Sequence, residues 1–376
     1  MTNEYQLLVG AEAFVGALRV ALEQCTQRLY IQFSTFEGDS SGRAFADLLI
    51  KRAQLGVDVR LMIDHYSSMV QDDIYPILLH RRAELSAEKQ KTRQLIQSLQ
   101  EAGVAVQYTA PLGPLGIYFP YRNHKKMIII DDQLAFVGGI NVSDHNYRWH
   151  DFMVKVCGPI VQDLAQDYLS TWEGQTFAYD KPSPDTDFLL NQCAGRYSLF
   201  EHILQLIDSA EKTLVIESPY LLGERIESAI LAAAQRGVKI TIILPFRSNK
   251  WLYRVWVRKL YRRLNHPNIR LYGYRGEHDM THAKLMMVDD EVVTFGSFNM
   301  FELEGLTQKD LNIFTRNQSF IRQVKDFIAQ DIAESVLIAT PKSSFGRFSY
   351  TWLYYFVRWW TNFLLRNERW RLQYAE

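Results

Sequence analysis

Apolar residues fall four apart at Phe14, Leu18 and Leu22, and this spacing predicts an amphipathic helix over residues 12–25. Residues 29–36 are rich in β-branched and aromatic side chains and predict a strand. A second amphipathic helix follows over residues 43–54, stopped by Gly56, and residues 57–63 alternate as a strand ending at Asp64. The same order returns later in the chain. A helix is predicted over 199–210, then a strand over 213–217 running into Ser218, Pro219 and Tyr220. A helix over 224–235, stopped by Gly237, leads to a strand over 238–244 that ends at Pro245. The segments RAQLGVDVRLMID and AAQRGVKITIILP align almost position by position. Such alternation favours an α/β architecture with a mostly parallel sheet, here written twice.

The copies differ by an insertion. Gly56 and Gly237 are 181 positions apart, whereas the later histidines His124 and His282 are 158 apart, so the first copy holds 23 additional residues. They fall in the polar stretch 67–101, which reads as a longer solvated helix or helical hairpin, with a substrate lid as the alternative. Residues 176–195, with Pro182 and Pro184, read as a linker. The expected division is 1–175, linker 176–195, 196–340 and a distinct tail over 341–376. A length of 376 residues suits two such units, and 47% hydrophobic residues suffice for large cores. Lys+Arg and Asp+Glu are both 42, and this zero net charge argues mildly against a nucleic-acid partner. Cys25, Cys157 and Cys193 are few, scattered and odd in number, which favours a reducing, cytoplasmic compartment over a disulfide framework. No basic segment precedes an apolar run near Met1, and no apolar run is long enough to span a bilayer. Neither a signal peptide nor a transmembrane helix is expected.

The chemistry lies in a repeated motif. His124-x-Lys126 is followed by an apolar run to Asp131, then by Gly138, Gly139 and Asn141; His282-x-Lys284 is followed by Asp289, then Gly296, Ser297 and Asn299. His and Lys two apart on a strand share a face, and His to Asn spans 17 positions in both copies. A phosphodiester is anionic and resists nucleophiles, so two lysines and two amides would grip its oxygens. One imidazole would attack phosphorus and hold it as a phosphohistidine. The other would protonate the leaving oxygen and then take a proton from the incoming alcohol or water. Each His needs a carboxylate to orient it. Asp151, 27 positions past His124, and Asp310, 28 past His282, each open a strand-like run and are the candidates. Asp131 and Asp289 stand at strand ends and read as more structural members of the motif.

These residues resemble the phospholipase D superfamily, whose signature is His-x-Lys-x-x-x-x-Asp with a downstream Gly-Ser/Gly-x-Asn, present twice. The resemblance covers about residues 5 to 335 and is closest to the bacterial cardiolipin synthase-type branch, through GGIN, GSFN and SPYLL. It implies a tandem pair of α/β/α sandwiches around a pseudo-two-fold axis, with both motifs meeting at the interface. It also implies catalysis without a metal or other cofactor. His124 is implied as nucleophile and His282 as general acid/base, and the near-equivalence of the motifs leaves that order open to reversal. Gly138, Gly139, Gly296, Ser297 and Tyr220 (of SPYLL) are expected beside the substrate. Gly139 stands where many members carry Ser, so the first half is expected to lack one hydrogen bond.

The tail bears on the substrate. As a helix it would place Trp352, Tyr355, Phe356, Trp359 and Phe363 on one face and Arg358, Asn362, Arg366 and Arg369 on another, the pattern of an in-plane interfacial helix. Residues 249–264 repeat Arg every four positions among aromatics, and the apolar loop 111–121 precedes His124 directly. Each has a plainer alternative: packing on the chain's own body or a sister subunit, covering the sheet, or buried packing. The resulting expectation is a peripheral phosphatidyltransferase acting on anionic phospholipids such as phosphatidylglycerol, at the cytoplasmic face of a bacterial inner membrane. Hydrolysis to phosphatidic acid is the first alternative. Because aromatics interleaved with Arg also suit single strands, nuclease action is the second.

Overall fold

The computed structural model describes residues 2–72, 74, 79–113, 121–175, 187–192, 198–249, 253, 257, 260–277, 280–338 and 359. Its strands are β1 (Glu4–Val9), β2 (Arg28–Phe33), β3 (Asp58–Asp64), β4 (Ala105–Thr109), β5 (Arg122–Asn123), β6 (Met127–Ile130), β7 (Leu134–Gly138) and β8 (Phe152–Cys157). They continue as β9 (Phe188–Gln192), β10 (Thr213–Glu217), β11 (Lys239–Pro245), β12 (Ile269–Tyr274), β13 (Leu285–Val288), β14 (Val292–Gly296), β15 (Gln308–Thr315) and β16 (Ser335–Leu337). The helices are α1 (Gly10–Glu23), α2 (Ser40–Gln54), α3 (Tyr66–Met69), α4 (Arg82–Glu101), α5 (Asp144–Tyr147), α6 (Ile160–Trp172), α7 (Ser198–Asp208), α8 (Glu224–Gln235), α9 (Glu302–Thr307) and α10 (Gln318–Ala333).

One sheet runs β1-β8-β7-β6-β2-β3-β4, and the other runs β16-β12-β11-β10-β13-β14-β15-β5 with β9 also on β15. The order β8-β7-β6-β2-β3-β4 corresponds strand for strand to β15-β14-β13-β10-β11-β12, and β1 on β8 corresponds to β9 on β15. The fold is a tandem α/β repeat. The sheets are mixed rather than mostly parallel. Strands β2-β3-β4 and β10-β11-β12 are parallel, but β6-β7-β8 and β13-β14-β15 are antiparallel meanders. The cause is the tight turn after each motif strand, where Asp131, Asp132, Asp289 and Asp290 all have positive φ, a backbone conformation that Asp tolerates. Asp131 accepts the backbone N–H groups of Thr26, Gln27 and Arg28, and Asp289 those of Glu211, Lys212 and Thr213. Each turn thereby pins the entry to the neighbouring central strand.

Apolar faces set the layers. α1, α2 and α4 close one core, which holds Phe14, Phe45 and Ile96, and α7 and α8 close a second around Ile203 and Ile230. A third core belongs to both halves: Val161 and Tyr168 of α6 and Val324 and Phe327 of α10 pack with Met127, Phe152, Leu285 and Phe295 from the two sheets. The inserted α4 buries Leu85, Ile96 and Leu99. It is tied to the body where Thr92 accepts from Gly38 N–H and donates to Gln71. Within the stretch read as a linker, Phe188–Gln192 is strand β9 and belongs to the second sheet. In the 249–264 segment, Tyr253, Leu260, Tyr261 and Leu264 are buried, the last three within the second-half core. Half of that segment, residues 114–120 of the loop, most of the linker and the tail other than Trp359 lie outside the described residues. Trp359 is exposed.

Candidate active site

Each motif histidine begins where the chain crosses to the opposite half. β5 pairs with the first residues of β15, and His124 N–H donates to Lys309 O at 2.8 Å. Reciprocally, His282 N–H donates to His150 O at 2.6 Å and His150 N–H to Met280 O at 2.9 Å. This exchange of like contacts is what a pseudo-two-fold relation produces.

The crossing decides which carboxylate meets which imidazole. The spacing suggested that each Asp serves the His of its own motif, but the pairs are exchanged. Asp310 Oδ1 lies 2.9 Å from His124 Nδ1, and Asp151 Oδ2 lies 2.6 Å from His282 Nδ1. The reason is that β8 and β15 run back along the motif hairpins and present their first residues to the opposite half. An ionised carboxylate only accepts, so Nδ1–H donates and Nε2 of His124 is left as the basic nitrogen. All four side chains are buried or nearly so, with His124 the most accessible at 17%.

The carboxyls are not electrostatically alike. Burial pushes Asp310 up, but the charges of His124 and Lys126 and the hydrogen bonds from His124 and Ser297 outweigh it and hold the carboxyl below its usual range. Burial pushes Asp151 up to about 6 despite Lys284 and the Phe152 N–H bond. The positions called Gly139 and Ser297 account for part of this. Ser297 Oγ donates to Asp310 Oδ1 at 2.8 Å. A Cβ on Gly139 would collide with the Asp151 carboxylate, and no hydroxyl is present there. His124 itself is held below its ordinary value, first by burial and then by Lys126.

Lys126 and Lys284 are almost wholly buried. Lys126 Nζ donates to Ser34 Oγ (2.9 Å) and His124 O (2.6 Å), while Lys284 Nζ donates to His282 O (2.5 Å). Burial and the nearby Lys284 charge lower Lys126 to about 7. Asn141 Oδ1 accepts from Ser34 Oγ and Thr35 N–H, and Asn299 Nδ2 donates to Glu304 Oε2 at 2.6 Å. A cleft of about 230 Å³ opens onto both histidines, both asparagines and Tyr220. Neither Lys126 nor Lys284 is among its lining residues; each is bonded to one that is, Lys126 to Ser34 and Lys284 to His282, and positive charge so placed would favour an anion.

Other expected residues lie elsewhere. Gly138 and Gly296 do not line the cleft; a Cβ on either would strike the backbone of β8 or β15, so they permit close strand packing. Gly139 and Ser297 act on the carboxylates rather than on the cleft wall. Asp131 and Asp289 serve the strand-entry turns, not the cleft. Among lining residues not anticipated, Arg122 forms a buried 2.8 Å ion pair with Asp64, which also accepts from Asn123 N–H and fixes the approach to His124. Trp149 lies 4.7 Å, ring to ring, from His282. Asn146 and Glu304 occupy equivalent places, five after each motif Asn, a repeat legible in the sequence. Behind the cleft, His150, Glu217 and Asp331 bring possible metal-ligand atoms within 4.8 Å of one another. Their separation along the chain conceals this cluster. His150 Nε2 already lies 2.9 Å from Asp331, and Glu217 accepts from Thr281 Oγ1.

Residues 18–172 and 203–332 match the family described as cardiolipin synthase, PLD-like domain. The chain belongs to that family. A probable cardiolipin synthase of Bacillus subtilis (strain 168) is 26% identical over 351 residues, 87% of this chain and 65% of the relative. Cardiolipin synthase B of Salmonella typhimurium (strain LT2) is 27% identical over 349 residues, 86% and 79% of the two chains. The chain therefore spans just under two thirds of the Bacillus family member. Among solved structures, phosphatidylserine synthase of Haemophilus influenzae Rd KW20 shares the fold with a TM-score of 0.70 at 14% identity, over 99% of this chain and 94% of that one.

Proposed function

We propose that the protein is an enzyme that transfers a phosphatidyl group between phospholipids through a covalent phosphohistidine. The observation that carries this reading is the pair of imidazoles on one cleft, each backed by a carboxylate from the opposite half, above two buried lysines. His124 Nε2 attacks the donor phosphorus as the bond to the headgroup oxygen breaks. His282 gives that oxygen a proton, while Lys126, Lys284, Asn141 and Asn299 hold the non-bridging oxygens. An acceptor alcohol then attacks phosphorus, its proton passes to His282, and the phosphorus–nitrogen bond to His124 breaks. One phosphodiester replaces another, so no nucleotide is consumed.

The membership of the cardiolipin synthase family supports phospholipids as substrates. The cleft supports them too: Glu37, Asp64 and Glu304 line it beside the cations, which suits one phosphate group better than a polyanionic strand. We assign the chain to a membrane surface rather than a span; among the described residues no helix is long and apolar enough to cross a membrane. The exposed Trp359 lies in the aromatic and Arg-rich tail that would make this contact. The test is lipid product analysis of wild type and His124→Ala on phosphatidylglycerol and phosphatidylethanolamine liposomes. A transphosphatidylation product from wild type alone is expected. Phosphatidic acid alone would reassign the enzyme as a hydrolase, and unchanged lipids would overturn the reading.

A further inference from the structure

Joining two phospholipids through one alcohol places two phosphodiesters close together during the second step. One is bonded to the enzyme, and the other belongs to the acceptor, only a headgroup's length from the attacking hydroxyl. The buried lysines serve the first. The second is an anion that needs its own cations beside the cleft, not inside it.

A second cavity, of about 630 Å³, meets this requirement. It shares His145, Trp149 and Asn249 with the reaction cleft, so the two are continuous past the ring that contacts His282. It lies beyond the carboxyl ends of the parallel strands β11 and β12, where open α/β sheets commonly bind ligands. Three guanidinium groups line it: Arg247 after β11, Arg275 after β12 and Arg148 after α5 of the other half. Neither Arg247 nor Arg275 forms an ion pair with another described residue. The Arg275 guanidinium rests 4.6 Å from the centre of the Phe246 ring, which holds its planar donor face in place. Of the two lining carboxylates, Asp72 faces Arg81 at 3.6 Å and His145 at 3.8 Å, and Glu277 is the acidic group beside Arg247 and Arg275.

We propose that this cavity is the acceptor subsite, in which Arg148, Arg247 and Arg275 hold the phosphodiester of an anionic acceptor phospholipid and aim its headgroup hydroxyl past Trp149 toward the phosphohistidine. The inference rests on the phosphatidyl-transfer reading. It makes the choice of acceptor a matter of charge outside the reaction cleft. The acceptor oxygen forms its bond to phosphorus, its proton goes to His282, and His124 leaves; the arginines take no part in bond making.

The test measures partitioning of the common intermediate. Full-length wild type, the double variant Arg247→Gln/Arg275→Gln and the double variant Arg247→Lys/Arg275→Lys are given vesicles of acyl-labelled phosphatidylglycerol with a fixed amount of ethanol. Cardiolipin-type product requires the anionic acceptor, whereas phosphatidylethanol forms from a neutral one. The ratio of the two does not depend on the amount of folded enzyme. Loss of two charge-assisted contacts should lower that ratio about tenfold or more in the Gln variant, with partial recovery in the Lys variant. An unchanged ratio overturns the subsite, whether total turnover falls or not. If wild type forms neither product, the phosphatidyl-transfer reading itself fails and the subsite with it. That outcome is distinct, because no ratio can then be formed.

Discussion

The pairs Asp310–His124 and Asp151–His282 are built by the same topology, yet they differ in charge. In both, a carboxylate at the start of an antiparallel strand reaches the imidazole of the other half. At Asp310 the Ser297 hydroxyl adds a donor and the carboxyl stays below its usual range. At Asp151, Gly139 supplies no hydroxyl and the carboxyl rises to about 6. A repeated fold thus yields unequal partners, and environments that separate two pKa values are how one site assigns two roles. His124, kept neutral and backed by an ionised carboxylate, suits the nucleophile. His282, backed by a carboxyl raised to about 6, suits the proton carrier.

Removing the nucleophile should have the largest effect. His124→Ala is expected to lower kcat by about 10⁴-fold or more on any donor. His282→Ala should be comparably impaired on natural phospholipids but recover strongly on a phosphatidyl ester of p-nitrophenol, whose leaving group needs no proton. Recovery by His124→Ala instead would reverse the assignment. Next, Asp310→Asn should cost about 10³-fold or more in kcat and Asp151→Asn about 10- to 100-fold, measured on one donor at pH 7. Equal losses would erase the asymmetry.

Acidity offers a milder probe. As pH falls through about 6, Asp151 takes a proton and loses its hold on His282; as pH rises through about 7, Lys126 loses its charge. The rate should therefore fall on both sides of a narrow optimum. Lys126→Arg, which keeps its charge, should flatten the alkaline limb without moving the acid one. The smallest effect is expected from Ser297→Ala. Without the hydroxyl Asp310 binds its proton more readily, yet it starts below its usual range, so the acid limb set by Asp151 should stay in place and kcat at pH 7 should drop by about three- to tenfold as His124 is held less firmly. An unchanged kcat would show that Ser297 does not support Asp310.

Much of this arrangement can be read along the chain because it recurs at fixed offsets. The predicted strand 213–217 and helix 224–235 coincide with β10 and α8, since each couples a regular apolar pattern to a clear stop. The motif histidines and their Asn partners reach one cleft because strand alternation and hairpin length carry them there. The exchange of Asp151 and Asp310 between halves was hidden, because spacing measures distance along a chain and not across an interface. The mixed sheets were missed for a related reason: the tight Asp131 and Asp289 turns override the parallel tendency of the preceding alternation. Gly138 and Gly296 are expected from the resemblance to lie beside the substrate, yet backbone packing against β8 and β15 requires them. Arg122, Trp149 and the arginine-lined cavity carry no motif, and only tertiary packing gathers them.

The most direct test of the central claim is to trap the intermediate. His282→Ala, incubated with a p-nitrophenyl phosphatidyl ester and quenched at alkaline pH to preserve a phosphorus–nitrogen bond, would be examined by intact and peptide mass spectrometry. The account predicts one phosphatidyl adduct per chain, on the peptide bearing His124 and absent from the His124→Ala/His282→Ala double variant. Donor turnover with no adduct at His124 would contradict it.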